Sequence, residues 1–141
     1  MRSNRIQAPR PQARKLPERS QIAALLVDDD SFQLDLLEGV LNNLGVTNVT
    51  AAEGAPRALE KLAARGAAFD LILMDLHMPG MDGFQFMEAL GKTGFSGSLI
   101  IVSGQDAEVM KAATLIAKLR RFTLLGAVAK PVGQQALAAL I

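Results

Sequence analysis

A doubly wound α/β fold is predicted by three features of this chain. Short apolar runs alternate with stretches of helical periodicity from residue 22 onward. Most of these runs have no polar interruption, which suits parallel strands covered on both faces. The helical stretches are bracketed by capping residues, prolines or glycines, so the order reads strand, helix, strand, helix.

The first run, residues 23–27, precedes a stretch in which Phe32, Leu36, Leu37, Val40, Leu41 and Leu44 recur at helical spacing. Asp30 or Ser31 can cap that helix and Gly45 stops it. Residues 48–52 form a weaker run, with Val49 between Asn48 and Thr50, the look of a strand at a sheet edge. Pro56 opens the second helix, which bears Leu59 and Leu62 and ends at Gly66. Residues 71–74 are the third run, and Asp82 precedes a helix with Phe86, Met87 and Leu90. Residues 99–102 are the fourth, followed by a helix bearing Val109, Ala113, Ile116 and Ala117 that Asp106 can cap. The fifth run, 124–129, leads to a helix that starts after Pro131 and reaches Ile141.

A chain of 141 residues, half of them hydrophobic, can bury the core of one domain. No apolar run approaches the ~18 residues needed to span a bilayer, and no apolar stretch follows residues 1–5, so no secretory signal is expected. Cysteine is absent, which removes disulfides, thiolate metal sites and cysteine nucleophiles. A cytoplasmic protein with no membrane association is the expectation. The net charge of +1 conceals a division. Residues 1–20 hold six of the 15 basic residues and only Glu18 of the 14 acidic ones, together with Pro9, Pro11 and Pro17, leaving nine basic and thirteen acidic residues for 21–141. The first segment reads as a flexible, solvated arm and the second as the folded domain. An acidic body argues against direct nucleic-acid binding.

In a doubly wound sheet the ligand site lies beyond the carboxyl ends of the strands. Here those ends deliver Asp28-Asp29-Asp30, Asp75, Ser103 and Lys130. Taken singly, the aspartates read as helix caps and turn formers, the lysine as a solvated side chain and the serine as a loop residue. Their convergence from four strand ends needs another reason. Two carboxylates ~4 Å apart repel by about 4 kcal/mol at an effective dielectric of 20, so such a cluster raises a pKa or recruits a cation. Oxygen ligands without nearby thiols favour Mg²⁺, or Mn²⁺. A carboxylate is also a nucleophile toward phosphorus, giving an aspartyl phosphate, with Lys130 as a point charge for its oxygens and Ser103 as a hydroxyl donor.

These residues resemble the receiver domains of two-component response regulators. The resemblance rests on residues 25–30 (LLVDDD), 74–83 (MDLHMPGMDG), Ser103-Gly104 and Lys130-Pro131, and covers about 22–141. It implies a flavodoxin-like, five-stranded parallel sheet of order 2-1-3-4-5 for the receiver domain, residues 21–141. It also implies that Asp75 is the phosphoacceptor and that Asp29 and Asp75 bind the metal directly. The backbone carbonyl of His77 would be a third ligand, with Asp28 acting through metal-bound water. Ser103 would move toward the phosphoryl group, Lys130 would pair with Asp75 or the phosphate, Asp30 would be the helix cap, and the Lys130–Pro131 bond would be cis. Such a domain catalyses only its own phosphorylation and dephosphorylation. Its expected partners are a sensor histidine kinase or a histidine phosphotransfer protein, with room for an output domain fused beyond residue 141 and for a homodimer.

Two departures from the family pattern stand out. Most receivers carry Phe or Tyr three residues before the lysine, where this chain has Ala127. The stretch from Ser103 to Lys130 is also longer than in compact receivers, and residues 102–106 and 124–131 are similar to receivers fused to cyclic-di-GMP phosphodiesterase (EAL-type) domains. Ala127 keeps a second reading open, a pseudo-receiver acting only as an interaction surface. A third, a haloacid-dehalogenase-type phosphohydrolase with Asp28 as nucleophile, needs a late acidic pair, and no acidic residue follows Glu108.

Overall fold

The computed structural model describes residues 16–104 and 107–141. Its strands are β1 (Ala23–Asp28), β2 (Asn48–Glu53), β3 (Leu71–Met74), β4 (Ser98–Ser103) and β5 (Thr123–Ala129). They alternate with α1 (Ser31–Asn43), α2 (Ala55–Arg65), α3 (Gly83–Leu90), α4 (Ala107–Leu119) and α5 (Gln134–Ala138). The strands form one parallel sheet in the order β2-β1-β3-β4-β5, as expected. Among the described residues no helix is long and apolar enough to cross a membrane.

Strand alternation splits the interior in two. One core lies on the face covered by α2, α3 and α4, where Leu25, Ile72, Met74, Leu99 and Ile101 meet Leu62, Phe86 and Ala113. The other lies under α1 and α5, where Leu26, Leu71, Leu73, Ile100 and Val102 meet Leu37, Leu41 and Leu137. Burying each large aliphatic side chain is worth roughly 1.5–3 kcal/mol, so these central strands hold the sheet. That two-sided burial is why β1, β3 and β4 read as unbroken apolar runs.

The helix ends follow local chemistry. Asp30 caps α1, its Oδ1 accepting from the Phe32 N–H at 2.9 Å. Gly45, at φ 95°, occupies the left-handed region that ends the helix. Asp82 and Gln85 make a reciprocal capping box at the start of α3. The proposed Asp106 cap of α4 lies outside the described residues, as do residues 1–15. Leu16 packs against the α1–α5 core, and the Arg19 guanidinium donates to the Ala138 carbonyl at 3.2 Å.

Two elements differ from expectation. β5 is the outer strand opposite β2, and only Val128 within it is buried. Gly126, Ala127 and Ala129 bring too little side chain for helices to cover both faces of an outermost strand. α5 begins three residues beyond Pro131, because Gly133 is extended at φ −84°, ψ 146°, and it spans only five residues.

Gly83 is required by packing. A Cβ there would sit 2.8 Å from both the Leu76 Cα and its Cδ2, so α3 meets the loop after β3 only through a glycine. Gly83→Ala should lower stability by about 1–3 kcal/mol, the usual cost of overpacking. Urea unfolding checks this, and an unchanged midpoint would mean that the loop yields freely.

Candidate functional site

Asp28 continues the alternation of Ala24 and Leu26, Asp75 that of Leu71 and Leu73, and Lys130 that of Val128. The three therefore emerge on the α1–α5 face at the carboxyl end of the sheet. Ser103 follows Leu99 and Ile101 and belongs to the opposite face. β4 separates β5 from β3, so Lys130 must cross two strand spacings, about 10 Å, to reach Asp75. A long, flexible lysine does so. Its Nζ lies 2.7 Å from Asp28 Oδ2 and 3.3 Å from Asp75 Oδ2.

Both carboxylates are also held by the backbone. The Leu76 N–H donates to Asp75 Oδ1 at 2.8 Å, and the Asp30 N–H to Asp28 Oδ1 at 2.9 Å. Asp75 is 5% exposed and Asp28 6%, whereas Asp29 is exposed. Carboxylate oxygens of Asp28, Asp29 and Asp75 lie within 4.8 Å of one another. The sequence-predicted set is thus brought together at one end of the sheet, with Ser103 fully buried beside it and the Lys130 N–H donating to the Ser103 carbonyl at 3.0 Å. His77 is exposed in the loop after β3. The Lys130–Pro131 bond is cis. Ala127 is exposed beside Met110 and Leu115 of α4, leaving a shallow groove rather than a ring at that position.

Sequence reasoning missed one pairing. Lys130 was expected on Asp75 or on phosphate, and its shortest contact is to Asp28. No residue spacing encodes that choice, since both carboxylates end strands on the same face.

Three carboxylates facing one ammonium leave an excess of negative charge. Burial pushes the Asp75 carboxyl above its ordinary range, helped by the neighbouring Asp28 charge and opposed by Lys130 and by the backbone of His77. For Lys130, burial acts downward, but the hydrogen bond and charge of Asp28 and the charge of Asp75 outweigh it and hold the ammonium above its usual value. All the side-chain donors in the cluster are oxygens, with no imidazole or thiolate. That donor set fits a hard divalent cation such as Mg²⁺.

The response regulator receiver domain family matches residues 24–141. Two-component response regulator ORR22 of Oryza sativa subsp. indica is 37% identical over 91 residues, covering 64% of this chain and 13% of that protein. Two-component response regulator ARR14 of Arabidopsis thaliana is 38% identical over 93 residues, covering 64% of this chain and 24% of that protein. The chain therefore spans at most about a quarter of the length of these relatives. Among solved structures, a response regulator from Colwellia psychrerythraea aligns with a TM-score of 0.70 and 29% identity over 84% of this chain and 92% of that one. A CheY-like receiver domain protein from Methanospirillum hungatei JF-1 aligns with a TM-score of 0.68 and 26% identity over 82% and 86%.

The fold and its strand order are those of a CheY-like signalling module. The chain belongs to the response regulator receiver domain family and is the receiver domain of a two-component response regulator.

The raised Asp75 pKa has a thermodynamic sign. The folded chain holds that proton more tightly than the unfolded one, so the cost of the charge is full above the raised value and is relieved as pH falls through it. Asp75→Asn should therefore raise the urea midpoint at neutral pH in metal-free buffer, and the gain should shrink on acidification. A variant less stable than the parent at neutral pH would show that the Lys130 contact outweighs burial and repulsion.

Proposed function

We propose that Asp75 accepts a phosphoryl group from the phosphohistidine of a sensor histidine kinase or histidine phosphotransfer protein, in the cytoplasm, and that the aspartyl phosphate switches an output. The observation that carries this reading is the placement of Asp75. It is buried at the end of β3, aimed by the Leu76 N–H, 3.3 Å from a lysine and grouped with two further carboxylates.

In the transfer, an Asp75 carboxylate oxygen attacks phosphorus. The bond from phosphorus to the donor imidazole nitrogen breaks, and its electron pair stays on that nitrogen. Lys130, already between Asp28 and Asp75, neutralises charge on the phosphoryl oxygens. Asp29 and Asp75 would hold Mg²⁺ or Mn²⁺ directly, with the His77 carbonyl as third protein ligand and Asp28 acting through bound water. Such an ion supplies charge neutralisation between the carboxylates and the incoming phosphoryl group. Ser103, buried at the end of β4, is the hydroxyl that follows the phosphoryl group. Asp28 keeps Lys130 in place before transfer. Residues 21–141 are the unit that does this, and the basic segment 1–20 takes no part in the chemistry. Domain self-phosphorylation and dephosphorylation are its only catalysis.

Incubation with acetyl phosphate or phosphoramidate and Mg²⁺ should add one phosphoryl group, stable in acid and labile to hydroxylamine, and Asp75→Asn should abolish it. Mass spectrometry reads the result, and a labelled Asp75→Asn protein would overturn the assignment. Mg²⁺ at 100 times its dissociation constant should stabilise the fold by about 2.7 kcal/mol. Calorimetry should find that Asp29→Ala weakens Mg²⁺ binding more than Asp28→Ala does. Unchanged affinity in Asp29→Ala would remove that residue from the metal site.

A further inference from the structure

Between α1 and the segment that follows β5 lies a cavity of about 170 Å³ that adjoins the carboxylates and whose apolar part the phosphoryl-transfer reading does not use. Its walls are apolar: Leu37 and Val40 of α1, Leu73 and Val102 of the sheet, and Val132 after the Lys130–Pro131 bond. Leu36, 47% exposed, forms part of its rim and leaves a way in from solvent. The polar groups that reach it are Asp28, Asp75, Lys130 and Gln33.

Open to solvent at one side, the cavity is nonetheless large enough for a small ring. Cavities of ~150 Å³ with aliphatic and aromatic walls stay dry and admit benzene-sized guests. Water would find few partners along these walls, whereas an apolar ring would gain contacts on several sides. The polar residues set the rest of the ligand. Asp28 and Asp75 face a single ammonium, with Asp29 adding a further carboxylate close by. With no divalent ion bound, an anionic group there would be repelled, and a cationic group would offset the excess charge.

We infer that this cavity is a binding site for a small molecule with a benzene-sized apolar body and one ammonium or amidinium group. The body fills the space between α1 and Val132, and the cation meets the Asp28 and Asp75 carboxylates. Ring and cation are thus held at adjoining places, which discriminates against neutral aromatics and against aromatic acids. Because the cation occupies the carboxylates that Mg²⁺ would use, the two ligands oppose each other, and the opposition must be reciprocal. Occupation of the cavity would then hold the domain away from phosphorylation. That regulatory consequence rests on the phosphoacceptor reading of Asp75. The binding itself does not.

Benzylamine, toluene and benzoate serve as probes, titrated into the whole chain while amide chemical shifts are followed. Benzylamine should bind about tenfold more tightly than toluene, the factor expected of one charge-assisted contact, and benzoate should not bind. Shifts should centre on Leu37, Val40, Val102 and Val132, and added Mg²⁺ should weaken benzylamine binding. Val40→Phe should fill the cavity and abolish binding while leaving Mg²⁺ affinity unchanged. If that variant does not fold, Val132→Leu should weaken binding in the same sense. No saturable shift with benzylamine, equal affinity for toluene, or undiminished binding in a folded cavity-filled variant would each overturn the proposal. Labelling of Asp75 by acetyl phosphate without any probe is scored separately, so failure of the cavity and failure of the phosphoacceptor reading give different results.

Discussion

Lys130 stands between two buried carboxylates, and the acidic end of the sheet depends on that position. Asp28 and Asp75 both emerge on one face, close enough to share a cation. Without a positive charge their mutual repulsion would amount to several kcal/mol in a partly desolvated site. One lysine offsets part of it. Burial keeps the Asp75 carboxyl above its usual range despite the lysine, and the excess of carboxylates makes the site receptive to a divalent ion. Breaking such a buried pair by removing one partner generally costs more than the pair contributes, since the survivor is stranded. Stability and reactivity at this end of the molecule are therefore set by the same balance of charge.

The sheet supplies the geometry for that balance. Alternation along β1, β3 and β5 sends Asp28, Asp75 and Lys130 to the α1–α5 side, while β4, lying between β3 and β5, sends Ser103 to the other. A lysine starting from the outermost strand can then cross the end of β4 without meeting its side chain. The late start of α5 also matters. With Gly133 extended and the helix beginning at Gln134, the chain after Pro131 does not close fully over α1, and the apolar space beside the carboxylates remains.

The order of elements was legible because the central strands are buried on both faces and so carry unbroken apolar runs. Caps such as Asp30 and Asp82 were legible because their side chains serve backbone groups two or three residues away. The acidic and basic residues at the strand ends were legible through one general rule of open α/β sheets. The partner of Lys130 was not, since it depends on how the ends of β1, β3 and β5, far apart in sequence, splay in space. The exposure of β5 was hidden for a related reason: its small and aliphatic residues look like those of a covered strand, and only its outer place in the sheet decides how much helix reaches it. The five-residue α5 was hidden too, since the apolar pattern after Pro131 continues to Ile141 while the backbone becomes helical only past Gly133.

The contact between Arg19 and the Ala138 carbonyl ties the approach to β1 to the end of α5. Arg19 precedes β1, and Leu140, just past Ala138, packs at Gly126 midway along β5, while the carboxylates sit where the strands end. A six-residue strand is about 20 Å long. The approach to β1 and the end of α5 are thus held together away from the acidic cluster. An event at Asp75 would reach that contact through the packed body of strands and helices between them.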